Sequence, residues 1–302
     1  MRSEPFDSLD RYLRERKERV NRALDGFLPG ESRYPDPVFR SVRYSVFAGG
    51  KRLRPVLVIA AAEICGAKAE DVLPVACAIE MIHTYSLIHD DLPAMDDDDF
   101  RRGKPTNHRV FGEALAILAG DALLTEAFRL MTDRGAMRGV PPERLLDVAG
   151  EIAEAAGFSG MIAGQVVDIA SEGKPPDGET LDFIHSRKTE RMITVSLRAG
   201  AILAGAEAGA LEALTGYGRR IGLAFQISDD ILNVEGTAEA LGKGTGSDAA
   251  RKKLTYPALY GLESSKEKAG TLAGEAVRCL DRFGDEAQPL RALAGYIVER
   301  NN

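Results

Sequence analysis

Six aspartates stand within ten residues at Asp90-Asp91-Leu92-Pro93-Ala94-Met95-Asp96-Asp97-Asp98-Asp99. An acidic run of this kind is most often a solvated loop. This one comes directly after an apolar stretch in which Ile79, Ile82 and Ile88 predict a buried helix. Its first two carboxylates would then enter low dielectric, which is costly for unpaired charges. A hard divalent cation with oxygen ligands removes that cost, and magnesium commonly bridges protein carboxylates to substrate phosphates. A second acidic pair has a matching setting, Phe225-Gln226-Ile227-Ser228-Asp229-Asp230-Ile231-Leu232-Asn233, after Ile221 and Leu223. Asp229 and Asn233 are four residues apart, so both oxygens can share one helical face. Two such clusters in one chain point to a shared metal–diphosphate site rather than to two lysine-paired surfaces.

Cationic runs complement the acidic ones. Gly49-Gly50-Lys51-Arg52-Leu53-Arg54-Pro55 sets three cations after a glycine pair and just before a helix, where backbone N–H groups and the helix dipole favour phosphate. Arg101-Arg102-Gly103-Lys104 stands just after the first aspartate cluster. Either run alone reads as surface charge, but the planar arginine fork suits diphosphate oxygens. The alternation of anionic and cationic runs suggests two phosphorylated substrates, one held through metal and one held by cations directly.

The elements that must position these groups read as helices. The 302 residues are 44% hydrophobic but only 6% aromatic, without tryptophan, a mixture suited to close-packed helices. Leu9, Leu13, Val20, Leu24 and Phe27 mark one face of a first helix, and residues 29–37 read as a loop. Pro55 opens a helix over 56–64. Another runs over 72–89, and Pro93 breaks or bends the chain beyond it. Further helices are expected at 112–131, 142–156, 158–170, 181–204 and 211–234, with two more after Pro257. No alternating strand run or repeat is visible, so one all-α domain over residues 1–302 is expected. A net charge of −7 argues against a nucleic-acid partner. Cys65, Cys77 and Cys279 read as three reduced thiols. No signal core or apolar stretch long enough for a transmembrane segment is evident, which makes the cytoplasm the expected location.

Taken together these motifs resemble the trans-isoprenyl diphosphate synthases, most closely the bacterial farnesyl and geranylgeranyl diphosphate synthases. The likeness rests on residues 49–55, on Asp90 to Asp96 with Arg101-Arg102-Gly103 after them, on Lys188-Thr189 and on residues 225–233, in family order and at family spacing. It extends over about residues 44–300. The resemblance implies the isoprenoid synthase fold, a helical bundle around a deep central cavity, and a homodimer acting on small-molecule diphosphates. It implies that Asp90, Asp96 and Asp229, with Asp91 and Asp230 beside them, hold Mg2+, three ions in all. It assigns Arg101, Lys188, Thr189, Gln226, Lys243 and Lys253 to the allylic diphosphate, and Lys51, Arg54, His83 and Arg102 to isopentenyl diphosphate. His83 on an apolar helix would otherwise read as a core histidine. An ideal helix would set Asp90 and Asp96 on different faces, so a distortion at Pro93 must bring them together. Asn233 stands where the family usually carries aspartate.

The implied reaction is head-to-tail condensation of isopentenyl diphosphate with dimethylallyl or geranyl diphosphate to give farnesyl diphosphate. A geranylgeranyl product is the alternative. A noncatalytic partner subunit should lack one or both aspartate motifs, and a terpene cyclase has less need of the Lys51, Arg54 and His83 set. Tyr85 and Ser86 precede Asp90 by five and four residues. At ~1.5 Å rise per residue Tyr85 lies roughly 7–8 Å down the helix from the metals. That depth suits a floor under a ten-carbon primer. Gln165 and Asp168 are expected to face the same cavity, and His108 and His185 suggest no role.

Overall fold

The computed structural model describes residues 4–175, 177–235 and 253–299. Within these, helices carry almost the whole architecture. They are α1 (Glu4–Phe27), α2 (Asp36–Val46), α3 (Leu53–Ile64), α4 (Ala69–Asp90), α5 (Asn107–Phe111), α6 (Glu113–Met131), α7 (Pro142–Ala156), α8 (Met161–Ser171), α9 (Gly178–His185), α10 (Arg191–Ala204), α11 (Ala208–Glu235), α12 (Tyr256–Tyr260), α13 (Leu262–Cys279) and α14 (Gln288–Glu299). Two apolar cores organise them. One gathers α4 with α6 and α7, and the other gathers α11 with α13 and α14. The helices α3 and α10 serve both cores. Val58 and Ile59 face the first while Leu57 and Ala61 face the second; Val195 and Ala199 likewise oppose Ile193 and Leu197. A helix that is apolar all round is buried, and these two join the halves.

The central helix α4 is apolar along its length and ends at Asp90. It alone among the described helices is long and apolar enough to cross a bilayer, contrary to the expectation from sequence, and its side chains are mostly buried against neighbouring helices. Three local departures from the expected pattern matter for the site. First, α2 begins at Asp36, inside and beyond the stretch expected to be loop. Second, an antiparallel hairpin pairs Phe100 with Pro105 and Arg101 with Lys104. Its turn places Arg102 and Gly103 both at positive φ, 54° and 74°, as a tight two-residue hairpin loop requires. Third, the helix expected over 181–204 is interrupted by a π-helical turn at Ser186–Glu190. Such bulges re-aim side chains and recur at functional sites. This one is pinched from both sides. A Cβ on Gly164 of α8 would lie 2.5 Å from the Lys188 nitrogen, and one on Gly222 of α11 would lie 2.7 Å from the Glu190 Cα.

Candidate active site

Two cavities adjoin between the halves. The first, of about 760 Å³, is lined by Lys51, Arg54, His83, Arg102, Phe225 and Tyr296 among others. The second, of about 670 Å³, is lined by Asp90, Asp96, Asp229, Lys188, Thr189 and Lys253 at its polar end. Leu124, Met161, Ile162, Val166 and Ile169 line its apolar part. Arg54 and His83 belong to both. The hairpin turn explains how adjacent arginines serve different cavities, since it sends Arg101 to the second and Arg102 to the first.

The first cavity is built on residues 49–54. Arg52, counted in the sequence as one of three phosphate-facing cations, is turned into the protein and is 4% exposed. It pairs with Glu80 at 2.6 Å, donates to Asn21 at 3.0 Å and also donates to the Val46 carbonyl. Breaking such a buried pair costs about 3–5 kcal/mol, so it is an anchor that presents its neighbours Lys51 and Arg54. The Arg54 Nε is withdrawn from water and finds no hydrogen-bond partner among the described residues. Burial pushes its pKa down, against the fields of Glu80 and Asp229. His83 is held neutral, with a pKa well below the usual histidine range, by burial and then by Arg54, Arg102, Arg101 and Arg52. The Arg102 Nη1 donates to the Gly49 carbonyl at 2.5 Å, and Lys51 Nζ lies 5.8 Å from the Tyr296 ring centre. Several cations around a cavity with one buried N–H unanswered make an anion site.

In the second cavity charge is concentrated with both signs. Helix α4 stops at Asp90, and the chain then folds back so that the Asp96 N–H donates to the Asp90 carbonyl at 2.7 Å. The two aspartates meet because the helix ends, where a bend at Pro93 was expected. Lys253 Nζ lies 3.0 Å from Asp96, and Lys188 Nζ lies 2.6 Å from Asp168. Burial works against the Lys188 charge, but Asp168, Asp90 and Asp96 overcome it and raise its pKa. The Asp90 carboxyl is pushed up by burial, which together with Asp96 and Asp91 outweighs Lys188 and Arg101. Carboxylates held at such a cost fit a divalent cation. No group of three or more carboxylate, imidazole or thiol side chains forms a metal cage among the described residues. Magnesium, which takes few protein carboxylates and completes its shell with water and substrate phosphate, needs none.

The expected site residues divide between the cavity wall and the surrounding fold. Asp91 was placed among the metal ligands, but Arg101 clamps it through Nε at 2.8 Å and Nη2 at 2.5 Å, and it is 3% exposed. Asp230 was placed there too, yet it accepts from Gln226 and the Tyr256 backbone, lies 3.3 Å from His185 Nε2 and is absent from the cavity wall. Both aspartate pairs thus divide into one residue facing the cavity and one fastening the fold. Gln226, assigned to the allylic diphosphate, spans Thr189 at 2.6 Å and Asp230 at 3.0 Å, while Thr189 lines the cavity. Tyr85, Ser86 and Gln165 do line it, whereas Asp168 lies behind, paired with Lys188. Lys243 falls outside the described residues. The sequence reading missed the Arg52–Glu80 anchor and the Asp168–Lys188 pair. A charged residue on an apolar helix, Glu80 on α4, was the available signal for the first.

Residues 36–287 match the family described as polyprenyl synthetase. The chain is 49% identical over 295 residues to farnesyl diphosphate synthase of Geobacillus stearothermophilus, covering 98% of this chain and 99% of that one. It is 47% identical over 292 residues to geranylgeranyl diphosphate synthase of Cyanophora paradoxa, covering 96% of each. Its fold matches the apo crystal structure of a FPP/GFPP synthase from Zymomonas mobilis with a TM-score of 0.84 at 36% identity, over 96% of this chain and 99% of that one.

Proposed function

The chain belongs to the polyprenyl synthetase family and is a prenyltransferase, and from that premise we propose that it makes farnesyl diphosphate from isopentenyl diphosphate and an allylic primer. The observation that carries this reading is the pair of cavities sharing Arg54 and His83. One has the metal-ready carboxylates and a long apolar continuation, and the other has the cations. Asp90, Asp96 and Asp229 would hold magnesium. The chemistry the metal supplies when bound is neutralisation of the allylic diphosphate, which makes it a good leaving group. Lys188, Lys253 and Arg101 add positive charge where negative charge develops on that group. The Thr189 hydroxyl oxygen, fixed by its bond to Gln226, faces the nascent allylic cation. The apolar wall from Leu124 to Ile169 keeps water from that cation. Arg54, Arg102, Lys51 and neutral His83 orient isopentenyl diphosphate so that its double bond reaches the allylic carbon. With no dedicated base evident, the proton lost after bond formation passes to the departing diphosphate.

Product length rests on Tyr85. Its side chain is 7% exposed, lines the second cavity and meets the His89 ring edge-on at 5.8 Å. His89 is in turn held by the Ile117 carbonyl at 3.1 Å. A braced aromatic one turn below the metal-facing Asp90 supports a fifteen-carbon limit. Chromatography of the products should show farnesyl diphosphate for the natural protein, and twenty carbons or more for Tyr85→Ala. Mainly geranylgeranyl diphosphate from the natural protein, unchanged in Tyr85→Ala, would favour the alternative product and place the floor elsewhere.

A homodimer is part of this proposal. Leu118, Leu146 and Phe158 are 56%, 69% and 93% exposed along α6, α7 and the turn after it, and large exposed apolar side chains of this kind support an association surface. Light scattering after size exclusion should give twice the 32.6 kDa chain mass; a monomer at assay concentration would refute it.

A further inference from the structure

Asp230 comes next to a cavity-lining aspartate in sequence but is turned inward, 4% exposed. Two hydrogen-bond donors and a histidine ring converge on it. Gln226 Nε2 reaches one oxygen at 3.0 Å, while the Tyr256 backbone N–H at 2.9 Å and His185 Nε2 at 3.3 Å reach the other. His185 is 2% exposed, and its Nδ1 has no hydrogen-bond partner among the described residues, so its polar contact there is with Asp230. The His185 ring also stacks on that of Tyr256, with centres 6.1 Å apart and planes 20° from parallel. These three groups come from three places in the fold. Gln226 lies one turn back on α11, His185 immediately precedes the π-helical turn, and Tyr256 opens α12 three residues after Lys253.

We propose that Asp230, held by His185, is a positioning residue that docks the segment carrying Lys253 onto the allylic diphosphate site. This rests on the reading of Lys253 as a diphosphate ligand. Residues 253–255 have no regular structure, so the place of Lys253 depends on where the chain is pinned next. The pin is the Tyr256 N–H on Asp230. Three residues of loose chain reach about 10 Å, and freeing them would spread the ammonium over many positions and lose its preorganisation. The same carboxylate orients Gln226 and through it Thr189, so both sides of the diphosphate site refer to one fixed point.

The test joins amide exchange to kinetics. In the substrate-free protein the Tyr256 amide should be protected, and Asp230→Ala should lower that protection at least tenfold. Asp230→Ala should raise the KM for the allylic diphosphate about tenfold and leave that for isopentenyl diphosphate unchanged. In a Lys253→Ala background the added change should shift the allylic KM less than twofold. His185→Ala should reproduce the effect more weakly, and His185→Gln, which keeps an N–H donor, should restore it. Asp230→Asn carries the same expectation in milder form if the alanine variant does not fold by circular dichroism. Unchanged Tyr256 protection, or additive effects of the Asp230 and Lys253 changes, would overturn the docking role. A Lys253→Ala variant with unaltered allylic KM would instead remove the premise, and the proposal with it.

Discussion

Asp90→Asn and Asp229→Asn will each lower turnover at least ~100-fold, the order lost when one preorganised electrostatic contact to a transition state is removed, and Asp90→Asn will at the same time raise the melting temperature. The two carboxylates reach one cavity from different helices, α4 and α11, and under the proposed mechanism the ionisation step needs both. The gain in stability stems from the raised pKa of Asp90, caused first by its burial. An acid whose folded-state pKa lies above its unfolded value holds its proton more tightly when folded. Stability is then lost as pH rises from the unfolded value through the raised one, and it stays lower at neutral pH. A neutral asparagine has no such loss. Its advantage should be full at pH 7 and shrink toward pH 4. Stability given up at an active site is commonly recovered when function is removed. Turnover with limiting magnesium and melting curves across pH check both halves. Near-natural turnover in either variant would take these carboxylates out of the metal site, and a lower melting point for Asp90→Asn at neutral pH would show that Lys188 and Arg101 outweigh burial.

Arg54→Ala and Lys188→Ala should separate the two substrates. Charged hydrogen bonds contribute about 1.5–3 kcal/mol, so each loss corresponds to ~10–100-fold in affinity. Arg54→Ala should raise the KM for isopentenyl diphosphate by that factor and change the allylic KM little. Lys188→Ala should do the reverse. The asymmetry of their surroundings gives the reason. Lys188 is neutralised by Asp168 at 2.6 Å with Asp90 nearby, whereas Arg54 carries a buried N–H with no hydrogen-bond partner among the described residues. Arg54→Ala should therefore cost the substrate-free fold little, because the cation it removes is poorly satisfied. Equal effects of both variants on both apparent affinities would refute the division into two anion sites.

The acidic and basic runs were legible along the chain because their residue types contradict their apolar surroundings. Aspartates placed at the ends of helices rich in Ile and Leu need a cation, and the motif order with its spacing was enough to name the family. The helical class was legible for a similar reason, since the 3.6-residue apolar period marks most of the helices. What the chain order could not show is direction within each motif. Asp90 and Asp91 are neighbours, as are Asp229 and Asp230, yet one of each pair faces the cavity and the other fastens the fold. Arg101 and Arg102 part company through a hairpin turn of two left-handed residues, and Arg52 leaves the phosphate-facing group for Glu80. Lys188 reaches the site from a π-helical turn that glycines on two other helices make room for. Apart from the local hairpin and the Asp91–Arg101 clamp beside it, the deciding partners lie far away in sequence, so the choice between metal, substrate and internal ion pair was made by packing, which sets the side each charged group can turn to without remaining buried and unpaired.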